Sequence, residues 1–349
     1  MRFEVYHARM INTGGWQPEE LILTLLYHNP LIVKGKTYLG ADLGGTKLLI
    51  GEVNEEGSVV RQKTYPTGFL NQLQARELLI NSIDDYLANV SDPSERPVSL
   101  GVGLLGRVDV DRGVWEQIDP SRTYPIALAQ ELRERYGMPC GIDNDVKSAT
   151  QAEMLWGAGR KSKDFVYINV GTGLAACAVV DGRILRGGHY NAGEVGHTTV
   201  GLDVGTQCVC GRRNCVETLA AGIGFDMCAR LLQSRYPTRL AIPEDGSRVS
   251  VKEVFRLARE EGDALCEQLV ANASEALSQL VMNLVRMSDP DTVVMGGSIM
   301  MDGYMLERMQ AHLQAETMRF VTNGVQLTTL NPHYIGLLGA AVVGINQIQ

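Results

Sequence analysis

Tyr38-Leu39-Gly40-Ala41-Asp42-Leu43-Gly44-Gly45-Thr46-Lys47 is the stretch on which the architecture turns. Tyr38 to Asp42 reads as an apolar strand that turns at Gly44-Gly45 into a second strand through Glu52. Asn54 to Gly57 then make a hairpin turn before a third strand, Ser58 to Tyr65. Three antiparallel strands are expected, followed by a helix from Gln72 to Asn89 and a strand from Val98 to Gly103. A second helix, Ile126 to Tyr136, leads into a short strand before Asp143-Asn144-Asp145. The same order returns later. Phe165 to Val170 turns at Gly171-Thr172-Gly173 into Leu174 to Val180, and Asp181-Gly182 closes a hairpin onto Arg183 to Leu185. A long helix from about Asp263 to Met287 carries Leu265, Leu269, Ala273, Leu277, Leu280 and Leu284 on one face and stops at Asp289-Pro290. Strand Thr292 to Met295 feeds Gly296-Gly297-Ser298. Two β-β-β-α-β-α halves predict a duplicated α/β fold with a cleft between them.

The glycine turns are where chemistry can be carried. In the first, Gly44 and Gly45 let backbone N–H groups approach phosphate oxygens, Thr46 adds a hydroxyl, and Asp42 can hold magnesium through water. Gly171-Thr172-Gly173 is the matching turn of the second half. A Gly-Gly hairpin without a ligand is the commoner meaning of either turn alone. Two of them, one opening each half, point to a nucleotide phosphate tail clasped across the cleft. The third turn, at Gly297, suits the flat approach of a base or ribose. Asp145 stands where a carboxylate can accept the proton of a hydroxyl attacking a γ-phosphate. The competing local reading is that Asp143 and Asp145 cap the helix starting near Val146, and one residue can do both.

His197, Cys208, Cys210 and Cys215 have spacings that can close one tetrahedral zinc site. Three thiolates and one imidazole fill all four positions and leave none for a reactive water, so the metal is expected to be structural. Gly193-Glu194-Val195-Gly196-His197 opens this stretch and Cys215-Val216-Glu217 closes it, so the metal also fixes two carboxylates able to grip a polar ligand. A reduced or redox-active trio of thiols is the alternative.

At 349 residues, 45% of them hydrophobic, the chain has material for two cores. A formal charge of -8 without a Lys/Arg cluster argues against a nucleic-acid surface. No apolar run approaches the ~20 residues of a membrane span, and the start lacks a secretory signal's apolar core, so a cytoplasmic enzyme is expected. Cys140, Cys177, Cys228 and Cys266 lie singly in apolar surroundings and read as buried thiols rather than a disulfide framework.

Taken in order, Asp42-Leu43-Gly44-Gly45-Thr46-Lys47, Asn144-Asp145, Gly171-Thr172-Gly173, Gly193-Glu194-Val195-Gly196-His197, Cys208-x-Cys210-Gly211-x-x-x-Cys215-x-Glu217 and Gly296-Gly297 resemble the ROK family of bacterial sugar kinases and sugar-responsive repressors. The resemblance covers about residues 37 to 349. It implies the actin-like ATPase (ribonuclease H-like) fold and ATP-dependent phosphorylation of a hexose or N-acetylhexosamine on its 6-hydroxyl. Asp145 becomes the catalytic base. Gly106, Asn144, Glu194, His197 and Glu217 become sugar ligands, His197 serving zinc as well. Asp42, Gly44, Gly45, Thr46, Gly171, Thr172 and Gly173 face the phosphates of Mg-ATP, with Gly297 near the nucleoside. It also implies a homodimer or homotetramer. Residues 37–145 with 336–349 are expected as a smaller domain, 146–335 as a larger one, and 1–36 as an extension of unknown role.

The chain departs from the family's pattern around the expected sugar pocket. Leu105 and Arg107 replace two prolines, Tyr190 and Asn191 stand where small residues are usual, and Ala175 replaces a glycine after the second phosphate turn. Arg107, Arg122 and His189 are either solvated loop charges or groups favouring an acidic sugar. The competing function is a sugar sensor or regulator that does not phosphorylate. Such regulators carry a winged helix-turn-helix longer than 36 residues and commonly lose the first phosphate motif, so the intact Asp-Leu-Gly-Gly-Thr favours a kinase.

Overall fold

The structure, a computed structural model, describes residues 32–68, 70–118 and 122–348; most of the extension expected at 1–36 lies outside them. The first part of the chain runs β1 (Tyr38–Leu43), β2 (Lys47–Val53), β3 (Val59–Pro66), α1 (Gln72–Asn89), β4 (Leu100–Leu104), a ribbon of β5 (Arg107–Asp109) and β6 (Val114–Gln117), α2 (Leu128–Tyr136), β7 (Cys140–Asn144) and α3 (Asp145–Leu155). The second part runs β8 (Phe165–Val170), β9 (Leu174–Val180), β10 (Arg183–Ile184), α4 (Glu217–Ala220), α5 (Gly222–Leu232), α6 (Val251–Arg256), α7 (Ala264–Ser288), β11 (Thr292–Gly296), α8 (Tyr304–Gln310), α9 (Ala315–Met318), β12 (Val325–Leu327) and α10 (Ile335–Ile345).

Two five-stranded sheets result, ordered β3-β2-β1-β4-β7 and β10-β9-β8-β11-β12. In each, the first three strands are antiparallel and the last two join parallel to them. This repeated order is the actin-like ATPase fold. Burial follows from residue type. The central strands β1, β4 and β11 are apolar on both faces and buried almost throughout. The outer strand β3 alternates half-buried with exposed residues.

Helix ends are set by local chemistry. Asn71 and Gln74 form a reciprocal capping box at the start of α1, with both bonds at 3.0 Å. Asp263 caps α7 by accepting the N–H of Cys266 at 3.0 Å. Of the methionines at near-helical spacing, Met300, Met305 and Met309 are core residues of the second sheet's unit.

Three apolar clusters hold the molecule. One surrounds α7 and α5 on the second sheet, another packs α1 and α2 on the first. The third lies between the sheets and joins Tyr38 and Leu49 to Phe165, Tyr167 and Val294 through α3 and α10. Helix α10 is apolar all round because it is buried on every side. Its close seat on the first sheet depends on Gly101, where an added Cβ would fall 1.8 Å from the carbonyl oxygen of Ala340.

Candidate active site

The switch from β7 to α3 falls between Asn144 and Asp145. Asn144 is the N-cap: its side-chain oxygen accepts from the N–H groups of Val146 (3.1 Å) and Lys147 (3.2 Å). Its side-chain nitrogen donates to the Gly106 carbonyl (3.1 Å) and to Asp145 Oδ1 (2.9 Å). The capping expected of the two aspartates therefore belongs mainly to the asparagine between them. Asp143 points elsewhere, into a bidentate pair with the Arg186 guanidinium at 2.9 and 2.8 Å. Asp145 also accepts the Val146 N–H with Oδ1 (2.9 Å), and among the described residues its Oδ2 has no hydrogen-bond partner.

Gly106 can stand beside Asn144 because it has φ +82°, and a Cβ there would fall 2.1 Å from the Gln117 carbonyl oxygen. Trp115 is fully buried and donates its indole N–H to Leu105 O at 2.9 Å, so it supports this loop from within the core. Arg107 ion-pairs with Glu116 at 3.7 Å, which engages one of the cations considered for an acidic sugar.

Burial, then the neighbouring Asp42 and Glu194 carboxylates, push the Asp145 carboxyl up to about 7 against the pull of the Val146 N–H. Burial likewise raises Asp42 to about 6, opposed by the Lys47 ammonium. Each keeps part of its surface open, while most of its surroundings are packed protein. Asp42 ends close to the start of α10, where a Cβ on Gly336 would lie 2.2 Å from Oδ2. No described residue donates a hydrogen bond to its carboxylate. An oxygen ligand without a protein partner suits magnesium held through water.

Glu194 is exposed at the entry to the turn Val195–His197, and Glu217 opens α4. Glu217 Oε2 accepts the Leu174 N–H at 3.0 Å, which ties it to the β8–β9 turn. The four ligand atoms of His197, Cys208, Cys210 and Cys215 lie within 4.8 Å of one another. Cys208 Sγ is 3.3 Å from His197 Nδ1, and Cys210 Sγ is 3.6 Å from Cys215 Sγ. Tetrahedral zinc with its usual bond lengths calls for N···S near ~3.5 Å and S···S near ~3.8 Å. The donor set and the spacing both fit that ion.

Gly44, Gly45 and Thr46 form the β1–β2 turn, where the Gly44 N–H donates to Lys47 O (2.9 Å) and Gly45 and Thr46 are exposed. In the β8–β9 turn the carbonyls of Gly171 and Thr172 accept the first N–H groups of α5, from Gly222 (2.9 Å) and Ile223 (3.1 Å). A cavity of about 480 Å³ opens there, lined by Gly171, Thr172, Gly222, Phe255 and Ser298 among others. Gly297 lies next to it, in the turn where the Ile299 N–H donates to Val170 O (3.0 Å). Gly173 faces Glu217. Arg248, Lys252 and Asp302 also line the cavity. They were not singled out from the sequence, where each is a lone charge without informative spacing. Among the described residues no helix is long and apolar enough to cross a membrane.

Comparison with known proteins adds a family. The profile of the ROK family matches residues 38–346. A glucokinase of Thermotoga maritima is 30% identical over 274 residues, 77% of this chain and 84% of its own length. An N-acetylmannosamine kinase of Vibrio vulnificus is 30% identical over 288 residues, 81% of this chain and 89% of its own. The crystal structure of the ROK hexokinase of Thermus thermophilus superposes with a TM-score of 0.68 at 28% identity, covering 88% of this chain and 97% of that one.

Proposed function

The chain belongs to the ROK family, and from that premise we propose that it transfers the γ-phosphoryl group of ATP to the 6-hydroxyl of a hexose or N-acetylhexosamine. The observation that carries this reading is Asp145, a partly buried carboxylate at the start of a helix whose proton affinity lies near neutrality. A base with that affinity takes the hydroxyl proton as the oxygen attacks phosphorus, and still ionises at working pH. Asn144 and Gly106 hold the base segment and the β4–β5 turn together, which fixes the direction of attack.

Glu194, Glu217 and the free ring nitrogen of His197 supply acceptors for sugar hydroxyls. The turns at Gly44–Thr46 and Gly171–Gly173 offer backbone donors to the phosphates, and the cavity beside Gly297 is of a size for a nucleoside. Asp42 would hold Mg²⁺ through water, an ion that supplies charge neutralisation on the transferred group when bound. His197, Cys208, Cys210 and Cys215 would hold Zn²⁺, which supplies folding of the loop rather than chemistry. In this reading residues 37–145 with 336–349 move as the smaller unit against 146–335, and closure on the sugar excludes water that would otherwise hydrolyse ATP.

The family also includes DNA-binding regulators, so catalysis needs its own test. Release of ADP from Mg-ATP is measured against neutral, N-acetylated, acidic and phosphorylated hexoses, with Asp145→Asn as control. Turnover on one sugar, lowered about 10²-fold or more in the variant at little cost in sugar affinity, is the expected outcome. Tight sugar binding with no turnover would replace the kinase with a sensor.

A further inference from the structure

Residues 186–192 leave β10 and return toward Glu194 as a small closed loop, the Ala192 N–H donating to the Arg186 carbonyl at 3.2 Å. Three contacts carry this loop away from its own sheet. The Arg186 guanidinium grips Asp143, which is 1% exposed and directly precedes Asn144. Gln151 Nε2 donates to the same Asp143 Oδ2 at 2.7 Å, and Asn346 Nδ2 donates to Gln151 Oε1 at 2.7 Å, so the anchor reaches α10. The Lys147 ammonium, two residues beyond Asp145, donates to the Tyr190 carbonyl at 3.2 Å. The Tyr190 hydroxyl donates to Asp111 Oδ2 at 2.5 Å, at the tip of the β5–β6 ribbon whose base is the Gly106 turn.

Tyr190 reaches Asp111 from φ +59°, a left-handed backbone that disfavours any residue with a Cβ and is rare for an aromatic one. Such a conformation persists where surrounding bonds over-determine it. Here its carbonyl and its hydroxyl are both held by groups from the acceptor side of the cleft.

We propose that residues 186–192 are a strap that positions the acceptor sugar, with Tyr190 its clasp on Asp111 and Arg186 its anchor on Asp143. The inference rests on the phosphotransfer reading for its substrate. The strap ties together three segments that the reaction needs in register: the base segment at 143–147, the Gly106 turn and the carboxylate Glu194. Tyr190 acts on the acceptor through that placement and takes no part in proton transfer, so its loss is expected in sugar KM before kcat.

The test uses Tyr190→Phe, which removes only the hydroxyl, Asp111→Ala and the double variant, each as full chain with zinc added. D-glucose and N-acetyl-D-mannosamine are the acceptors at saturating Mg-ATP. Each single variant should raise the acceptor KM by roughly 10- to 150-fold, the range for a hydrogen bond to a charged partner, with kcat within about twofold. The double variant should be no worse than the weaker single one, and Asp111→Asn should recover part of the loss. Unchanged KM in Tyr190→Phe, or additive losses in the double variant, would overturn the clasp. Hydrogen exchange of the 187–192 amides without sugar separates the two readings. Faster exchange in both single variants, in a chain whose wild type turns over none of the neutral, N-acetylated, acidic or phosphorylated hexoses, removes the acceptor role and the phosphotransfer reading together. Equal exchange in all variants removes the clasp whatever the wild type does.

Discussion

In the proposed role of base, Asp145 meets two demands that conflict: a base must hold a charge, and a cleft closed on the sugar must exclude the water that would solvate it. Burial, with Asp42 and Glu194 nearby, raises the carboxyl's pKa from its ordinary 3.8 to about 7. The folded chain then keeps a proton that the unfolded chain has lost between about pH 4 and pH 7, so stability falls as pH rises through that window and the full penalty stands above it. On the proposed reading activity runs the other way, because a base works only when ionised. In magnesium-free buffer Asp145→Asn should therefore be more stable than wild type at pH 8, by up to about 4 kcal/mol. The difference should shrink toward zero near pH 4, while wild-type kcat/KM falls with decreasing pH below about 7. Thermal melts and a pH–rate profile check both slopes. Asp145 as a candidate base was legible in the sequence, because a carboxylate just after a strand end is a local pattern. The role of its neighbours was not: which of Asp143, Asn144 and Asp145 caps the helix depended on Arg186, distant in sequence, claiming Asp143.

At the scale of elements, the loop between His197 and Glu217 contains little regular structure and a tip, Val209, that is 94% exposed. Val200, Leu202 and Val204 pack against the core while the tip does not, and a loop with such an unsupported tip is where bound metal contributes folding free energy. Removing zinc with a chelator, or Cys210→Ser, should increase hydrogen exchange across 198–216 and weaken sugar binding by tenfold or more, with loss of zinc stoichiometry in metal analysis. Equal exchange with and without metal would remove the structural role. Strand and helix elements were read well where periodicity was strong: α1 spans Gln72–Asn89 and β8 and β9 span Phe165–Val170 and Leu174–Val180, as the pattern predicts. The β5–β6 ribbon escaped notice because it is only 3 and 4 residues long, too short for alternation to show.

For the whole molecule, the joint between the sheets is made by α3 and α10 and is unusually close at Gly101. Gly101→Ala should force α10 away from β4 and lower stability by about 3 kcal/mol, the upper end of overpacking costs, readable in chemical denaturation. A neutral result would mean that α10 shifts without disturbing the joint. The sequence by itself determined the repeated strand order, the positions of the glycine turns and the spacing of the His/Cys set, because each depends on neighbours within a few residues or on a repeated pattern. Only the tertiary structure decided that Arg186 takes Asp143, that Tyr190 bridges to Asp111, and that Arg248, Lys252 and Asp302 share a cavity with the β8–β9 turn. Those pairings join residues far apart in the chain, and what selects them is the packing of two sheets about shared helices, which no local pattern encodes.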